Sequence, residues 1–292
     1  MRIAVVGPGA VGCFFAAQLT AAGHEVISCA RRPFDTYVVE SETVPMRAPA
    51  TVVTDPSAVG PVDVVIVAVK SHHTESAGDW LRRLCTASTV VVVAQNGLEG
   101  EDRVRPFVGD ASVLASVVYC ETELVAPGHT MHRSTGFLYL PDSVAAHRLA
   151  PLNSDAFAWF RPTPDYVTEL WRKLGSNVAM NGPLAITRRT RRVLGEPGVG
   201  EIAVAMLREC WTVAALEGAN LHPDDAERLV HAMAYRSNDG GSSTLYDRLA
   251  GRPTEHDAIY GSFIRAAARW GVPTPMCETI RALLAAGDAA TC

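Results

Sequence analysis

The chain has 292 residues, of which 48% are hydrophobic and 20% are charged, a composition typical of a folded globular protein. Its formal net charge of -5 argues against nucleic acid or an acidic membrane surface as a partner. The length suits two domains, or one large domain, with a sizeable hydrophobic core.

Cysteine usage and the N-terminal run bear on the compartment. The cysteines are scattered without a CxxC spacing, which favours free thiols in a reducing cytoplasm over disulfides or zinc. The uncharged run from Ile3 to Gly23 has the composition of a signal peptide, but Pro8 and three glycines interrupt it, so it fits strand, turn and helix better. We therefore expect a soluble, cytoplasmic protein. The cysteines are Cys13, Cys29, Cys85, Cys120, Cys210, Cys277 and Cys292.

A glycine-rich turn stands between the first predicted strand and the first predicted helix. The β-branched run Arg2–Val6 leads into the sequence GPGAVG, and a helical pattern then continues to Gly23. In a GxGxxG turn the first glycine permits the tight turn, the second lets the backbone approach a pyrophosphate, and the third lets helix and strand pack closely. The helix N-terminus adds N–H groups for the phosphates. The sequence therefore predicts a dinucleotide site at Gly7, Gly9, Ala10, Val11 and Gly12.

The second predicted strand, Glu25–Cys29, is followed by two arginines. NAD sites carry an Asp or Glu at the end of this strand to bind the ribose hydroxyls, and this chain has no acid there. Arginine side chains can instead bind the oxygens of a 2′-phosphate. We therefore predict NADPH as the cofactor, bound by Arg31 with Arg32 as a second candidate. The alternative is that both arginines are loop residues in solvent.

Two apolar runs, residues 62–69 and 89–94, are typical of buried parallel strands. Ligands of such sheets bind beyond the carboxyl ends of the strands, which makes Lys70 and Asn96 candidates for ligand contact. Asn96 offers a donor and an acceptor, although the Asn-Gly pair at 96–97 also fits a plain turn. His72 and His73 would diverge on a strand or helix and show no third ligand, so we predict no metal site.

The remaining patterns divide the chain in two. Residues 36–60 suggest a short strand pair, residues 112–120 a further strand, residues 129–132 and 136–140 an antiparallel pair closing the sheet, and residues 143–160 a helix and linker. After Pro162 and Pro164 only helical patterns occur, at residues 165–181, 202–217, 224–234, 255–270 and 277–286. We therefore predict an α/β fold, with an N-terminal Rossmann-type parallel-sheet domain at residues 1–162 and an all-helical C-terminal domain at residues 163–292.

The predicted helix at 165–181 carries polar residues along the border of an apolar stripe. Lys173, Asn177 and Asn181 are four residues apart and point the same way. Asn is a poor interior helix former, so a ligand site explains these amides better than helix stability does. The alternative is a solvated polar edge on a core helix. The stripe consists of Val167, Leu170, Trp171, Leu174 and Val178.

Three further stretches are rich in polar groups. The glycine–hydroxyl loop at 239–244 could bind a carboxylate, cap a helix before Leu245, or do both. Residues 254–257 resemble a capping box, with Glu255 in the first helical turn. Glu255 is then either an acid that stabilises the helix dipole or a carboxylate that reaches Lys173. The arginines at 188, 189, 191 and 192 fit a solvated helix end better than a binding patch.

Together these residues resemble the ketopantoate reductase (2-dehydropantoate 2-reductase) family over nearly the whole chain. The resemblance implies that Lys173 is the catalytic acid, that Glu255 assists it, and that Lys70 and Asn96 contact cofactor or substrate. It implies that Asn177, Asn181 and Ser243 hold the substrate. The chain departs from the family in the arginine-rich segment 182–198 and in His256, where an apolar residue is more usual. The markers are GPGAVG at 7–12, VK at 69–70, QNG at 95–97, WRKL at 171–174, Asn177, Asn181, Ser243 and TE at 254–255.

The resemblance implies NADPH-dependent reduction of 2-dehydropantoate to pantoate, in pantothenate biosynthesis and the coenzyme A pathway, with the cleft between the two domains. The first alternative is the same chemistry on another 2-keto or 3-keto acid, as in the related β-hydroxyacid dehydrogenases. The second is a sensor that binds NADPH without turnover. The expected partner is a small keto acid, and a homodimer is the oligomer considered.

Overall fold

The computed structural model describes residues 1–154, 157–236 and 239–289. The chain forms two units, one made of Met1–Gln95 and Glu99–Tyr166, the other of Asn96–Leu98 and Val167–Cys292. The strands are β1 Arg2–Val6, β2 Glu25–Cys29, β3 Thr36–Glu40, β4 Met46–Pro49, β5 Thr51–Val53, β6 Val64–Val67, β7 Val90–Val93, β8 Ser112–Ala115, β9 Val117–Ala126, β10 His129–Pro141 and β11 Phe160–Thr163. The helices are α1 Ala10–Ala21, α2 Gly78–Leu84, α3 Gly100–Val104, α4 Val144–His147, α5 Tyr166–Thr187, α6 Val199–Leu216, α7 Ala226–Ala234, α8 Ser243–Leu249, α9 Ser262–Arg269 and α10 Pro275–Ala289.

A parallel sheet in the order β5-β2-β1-β6-β7-β8 forms the centre of the first unit. Its central strands are buried on both faces, which explains why they read as continuous apolar runs. In β1, Ile3 and Val5 share a core with Phe15 of α1, whereas Ala4 and Val6 share another with Leu81 of α2. The predicted fold class, an N-terminal parallel sheet with a helical C-terminal region, is confirmed.

A second, mixed sheet lies in the same unit and was not predicted. Its order is β11-β10-β3-β4, with β9 antiparallel to β10. The predicted strand at 112–120 is in fact two strands in different sheets, separated at Ser116, whose N–H and hydroxyl both bond to the Val93 carbonyl. The predicted antiparallel pair at 129–140 is wrong, because those residues form the single strand β10. The turn lies earlier, at Gly128, which has a φ of +75°.

The helical unit packs around one core that includes Trp171, Leu174, Met206 and Phe263. Between residue 167 and residue 289 the described chain contains no strand. Periodicity missed α8, which is only seven residues long, and a π-helical turn at Asp257–Gly261 that runs into α9. None of the described helices combines the length and apolarity needed to cross a membrane.

The cysteines of the described residues are free thiols. Burial raises the pKa of Cys13 and of Cys29 to about 12, so both thiols stay protonated near neutral pH. Cys292 lies outside the described residues. In the part of the chain that the structure describes, no group of three or more His, Cys, Asp or Glu side chains could hold a metal ion.

Candidate active site

The glycine-rich turn has two positions that only glycine can fill and one that faces open space. Gly7 has a φ of +88°, and a Cβ there would lie 2.7 Å from the Val69 nitrogen. A Cβ at Gly12 would lie 2.4 Å from the Gly7 carbonyl oxygen. At Gly9 a Cβ would meet no described atom within 4 Å, so the backbone there is open to a ligand.

Helix α1 begins directly after this open position. Gly9 is its N-cap, no side chain caps it, and no acidic residue stands in its first turn. Ala10 and Val11 are therefore the first residues of a helix end that carries partial positive charge and favours an anion. This arrangement fits a diphosphate.

The other basic candidates of the first unit follow the ends of strands. Arg31 and Arg32 are exposed, two and three residues after β2 ends at Cys29. Lys70 is half-buried, three residues after β6 ends at Val67, and it precedes a short 3₁₀ turn at Ser71–His73.

Gln95, to which sequence analysis assigned no role, fixes the segment that carries Lys70. Its Nε2 donates to the Val69 carbonyl and to the Thr74 hydroxyl, both at 2.9 Å. These two acceptors flank Lys70 in the chain. A buried amide directly after an apolar strand was the signal that could have identified this residue.

The Asn-Gly pair is more than a plain turn. Gly97 has a φ of +94°, and a Cβ there would lie 1.9 Å from the Ala258 carbonyl oxygen, so no other residue fits. The Leu98 N–H donates to the Ser262 hydroxyl at 3.3 Å. These contacts explain why Asn96–Leu98 groups with the helical unit.

A chain of hydrogen bonds joins three of the predicted site residues. Asn177 donates from Nδ2 to Oδ1 of Asn96, and Asn96 donates from Nδ2 to Oε2 of Glu255, each at 3.3 Å. Asn177 and Glu255 are 8% and 6% exposed. The structure therefore brings together residues that are 81 and 159 positions apart in sequence.

Lys173 and Asn181 lie one turn before and one turn after Asn177 on α5. Lys173 is half-buried, whereas Asn181 is only 1% exposed. Neither the Oδ1 nor the Nδ2 atom of Asn181 has a hydrogen-bond partner among the described residues. Leaving a buried amide unpaired costs free energy, so this amide fits a ligand-binding group.

Two interpretations of the α5 pattern are wrong. Asn177 and Asn181 do not form a solvated polar edge, because both are buried. Val167 is 41% exposed and is not part of the buried apolar stripe.

The loop before α8 and the basic run are in contact. Ser242 caps α8 by accepting from the Leu245 N–H at 3.2 Å, and Ser243, the first helical residue, is exposed. Arg191 is only 5% exposed and donates from Nε to the Gly240 carbonyl at 3.2 Å. The prediction of a uniformly solvated basic run is therefore wrong at Arg191, although Arg188 and Arg189 are exposed.

Glu255 lies in a segment that Asp288 of α10 holds from both sides. Oδ2 of Asp288 accepts from the N–H and hydroxyl of Thr254 at 2.9 and 2.8 Å, and lies 3.1 Å from Nδ1 of His256. Arg248 pairs with Oδ1 of the same carboxylate at 3.2 Å. The predicted capping box does not form, because the Thr254 N–H, which the Asp257 carboxylate would accept in such a box, donates to Asp288 instead. Arg248 and Asp288 were not predicted as part of this segment, since no local pattern marks them.

Comparison with known proteins gives consistent matches over both units. Residues 3–144 match the family model "Ketopantoate reductase PanE/ApbA", and residues 165–288 match "Ketopantoate reductase PanE/ApbA C terminal". The chain is 36% identical to a 2-dehydropantoate 2-reductase of Mycobacterium tuberculosis over 98% of this chain and 97% of the relative. It is 34% identical to that of Caulobacter vibrioides over 97% of each.

A solved structure shows the same similarity in three dimensions. The crystal structure of a PanE/ApbA family ketopantoate reductase from Ralstonia eutropha JMP134 matches with a TM-score of 0.89 and 31% identity. The match covers 100% of this chain and 99% of the other. The glycine-rich turn and the polar face of α5 both lie within the matched residues.

Proposed function

This chain belongs to the ketopantoate reductase family, and we propose that it catalyses the NADPH-dependent reduction of 2-dehydropantoate (ketopantoate) to pantoate. The observation that carries the proposal is the polar face of α5. It combines an amine at Lys173, a buried amide without a partner at Asn181, and an amide at Asn177 that is linked through Asn96 to Glu255. Such a face suits a small polar substrate whose carbonyl must be protonated.

A nicotinamide dinucleotide is the cofactor that this reaction requires, and when bound it supplies the hydride for the carbonyl carbon. We propose that Gly7, Gly9, Ala10, Val11 and Gly12 hold its diphosphate. The open backbone at Gly9 and the uncapped start of α1 support this assignment.

Selectivity for NADPH is assigned to Arg31, with Arg32 as a second contact, and Lys70 is assigned to the cofactor or substrate. The absence of an acid at the end of β2 supports the phosphate form. The contacts of Asn96 favour a role in holding Glu255 over direct contact with the cofactor.

The chain's own residues then have distinct tasks. Negative charge develops on the carbonyl oxygen as the ketone is reduced, and an ammonium group at Lys173 stabilises this charge and delivers the proton. Glu255 orients the amine. Asn177, Asn181 and Ser243 bind the polar groups of the keto acid, because amides and hydroxyls can both donate and accept.

The test is Lys173→Ala compared with Arg172→Ala. Arg172 is the preceding residue, is exposed, and pairs with Glu169 at 2.9 Å, so it serves as a matched cation on the same helix. We expect kcat with ketopantoate to fall by about 10²-fold or more for Lys173→Ala and to stay unchanged for Arg172→Ala. NADPH binding, followed by fluorescence, should be equal in both. A Lys173→Ala protein that binds NADPH and turns over at the parent rate would refute the assignment.

Substrate identity needs its own experiment. Steady-state NADPH oxidation with ketopantoate beside a panel of branched 2-keto and 3-keto acids gives kcat/KM for each. A preference for ketopantoate of at least about tenfold over every other acid supports the proposal. A higher value for another acid would reassign the substrate, and NADPH binding without oxidation of any acid would indicate a sensor.

The two parts of the chain have different proposed ligands. We propose that residues 1–162 bind the cofactor and residues 163–292 bind the substrate. A homodimer would show twice the 31.2 kDa mass of the chain in light scattering. The cytoplasmic location stays a prediction.

A further inference from the structure

The hydroxyl group of Tyr260 lies within the backbone hydrogen-bond ladder of α5. Its oxygen accepts from the Gly182 N–H at 2.7 Å and donates to the Val178 carbonyl at 2.8 Å. These two backbone groups are four residues apart, which is the pair that a regular α-helix joins directly. The side chain is 0% exposed, and burial raises the pKa of Tyr260 well above its usual value, so the hydroxyl keeps the proton it donates.

The sequence of α5 provides room for this hydroxyl. Gly182 has no side chain, and a Cβ there would lie 2.7 Å from the Tyr260 oxygen. Pro183 follows, and since proline has no N–H, it cannot pair with the Ala179 carbonyl. Two successive steps of the ladder are therefore altered, one by a tyrosine hydroxyl and one by a proline.

Asn181 lies inside the altered step. Lys173 and Asn177 precede it on the same helix face, so the direction of the Asn181 amide relative to them depends on how the chain passes from Val178 to Gly182. The Asn181 amide has no hydrogen-bond partner of its own among the described residues. No hydrogen bond to a described residue holds its direction, so a change in the backbone at Val178–Gly182 would change where the amide points.

We propose that Tyr260 is a positioning residue, which holds the Val178–Gly182 step of α5 in the geometry that directs the Asn181 amide at the substrate. The inference rests on the proposed role of Asn181 in substrate binding. Tyr260 belongs to the π-helical turn Asp257–Gly261, which begins two residues after Glu255. Such turns occur frequently at functional sites. The π-helical turn therefore follows Glu255 in sequence, and its Tyr260 binds the backbone of α5, the helix proposed to bind the substrate.

The test removes only the hydroxyl. We expect Tyr260→Phe to raise KM for the keto acid by about tenfold, to change kcat by less than about threefold, and to leave the Kd for NADPH unchanged. The matched control is Tyr166→Phe, because the Tyr166 hydroxyl is also buried on α5 but has no partner among the described residues. It should leave KM unchanged. An unchanged KM in Tyr260→Phe would overturn the proposal.

A double-mutant cycle separates positioning from a general structural effect. If Tyr260 acts through Asn181, then Tyr260→Phe should raise KM by less than about twofold in an Asn181→Ala background. Additive effects of the two substitutions would overturn the proposal. Should Tyr260→Phe fail to fold, Gly182→Ala made in an Ile280→Ala background replaces it, because a Cβ at residue 182 would lie 2.2 Å from Cγ2 of Ile280 and 2.7 Å from the Tyr260 oxygen. Ile280→Ala alone is then the reference. We expect the same selective rise in KM, and a parental KM would contradict it.

The failure of this inference and that of the proposed function give different results. A wild-type protein that reduces no keto acid refutes the function, and with it the substrate role of Asn181. A wild-type protein that reduces ketopantoate while Tyr260→Phe matches it in KM refutes only the positioning role.

Discussion

Asn177 donates a hydrogen bond to Asn96 across 81 positions of sequence, and this contact fixes which way the Asn96 amide faces. Its oxygen accepts from Asn177, so its NH₂ group is the part directed at Glu255, 3.3 Å away. The buried carboxylate thereby has an amide donor whose orientation is set from the substrate helix. Glu255 and Asn177 are consequently coupled through one side chain.

Asn96→Asp tests this coupling with almost no change of shape. The substitution removes the N–H donor and places a second carboxylate next to Glu255, so that one of the two must take up a proton or move away. We expect kcat/KM to fall by about tenfold or more, and the melting temperature to fall by about 2–8 °C, because a hydrogen-bond donor is lost and a like charge is placed beside the buried Glu255. Steady-state kinetics and thermal unfolding check the two parts. A variant with parental kcat/KM would show that the coupling has no role in turnover.

The glycine-rich turn permits a contrast between two alanine substitutions. Gly9→Ala adds a methyl group that meets no described atom, so the protein should fold with parental stability but bind NADPH about tenfold more weakly or worse. Gly12→Ala should instead lower the free energy of unfolding by about 1–3 kcal/mol, because its Cβ would lie 2.4 Å from the Gly7 carbonyl oxygen. Calorimetric titration and urea unfolding distinguish the two effects. Equal NADPH affinity in Gly9→Ala and wild type would count against the site.

Cofactor selection is tested at Arg31. If its guanidinium binds the 2′-phosphate, Arg31→Ala should raise KM for NADPH by about 10–100-fold and leave KM for NADH unchanged. Arg82→Ala is the control, because Arg82 is an exposed arginine of the same unit whose partner is Asp79. Equal losses with both cofactors in Arg31→Ala would argue against phosphate recognition.

The carboxylate of Asp288 should stabilise the segment that carries Glu255. Asp288→Ala leaves the buried Arg248 without its acid and removes an acceptor for Thr254, so the free energy of unfolding should fall by about 3 kcal/mol. We expect kcat to fall as well, since Glu255 lies between Thr254 and His256, both of which contact Asp288. Glu227→Ala, which breaks the exposed pair with Arg208, should cost less than about 1 kcal/mol. Urea unfolding and kcat measure both, and a parental kcat in Asp288→Ala would exclude the link to Glu255.

Local patterns were sufficient to predict the elements that carry the candidate site. The apolar runs around β6 and β7 are buried on both faces, and the spacing within α5 matches a helix with one apolar face, so each pattern had a single consistent interpretation. The glycine turn was identifiable because it stands between a strand pattern and a helical pattern, and because the close contact of Gly12 with the Gly7 carbonyl is local.

Long-range pairing was the part that local patterns did not contain. Strand β10 pairs with β3, some 90 positions earlier, and nothing near residue 129 indicates this partner. The same holds for Tyr260, whose two partners on α5 are 78 and 82 positions away, and for Asp288, which contacts residues more than 30 positions before it. A tyrosine in a helical pattern predicts burial but not the backbone that its hydroxyl will join.

Asn96–Leu98 belongs to the helical unit although it lies far from the rest of that unit in sequence, and this affects how the unit can be expressed or exchanged. A contiguous fragment beginning at Val167 would lack Gly97, which fits against Ala258, and the amide that accepts from Asn177. A fragment that begins at Val167 therefore lacks contacts that belong to the helical unit. A chimera that exchanged it between relatives would have to carry these three residues along, and a mismatch there would disturb the grafted helices even if every other position were correct.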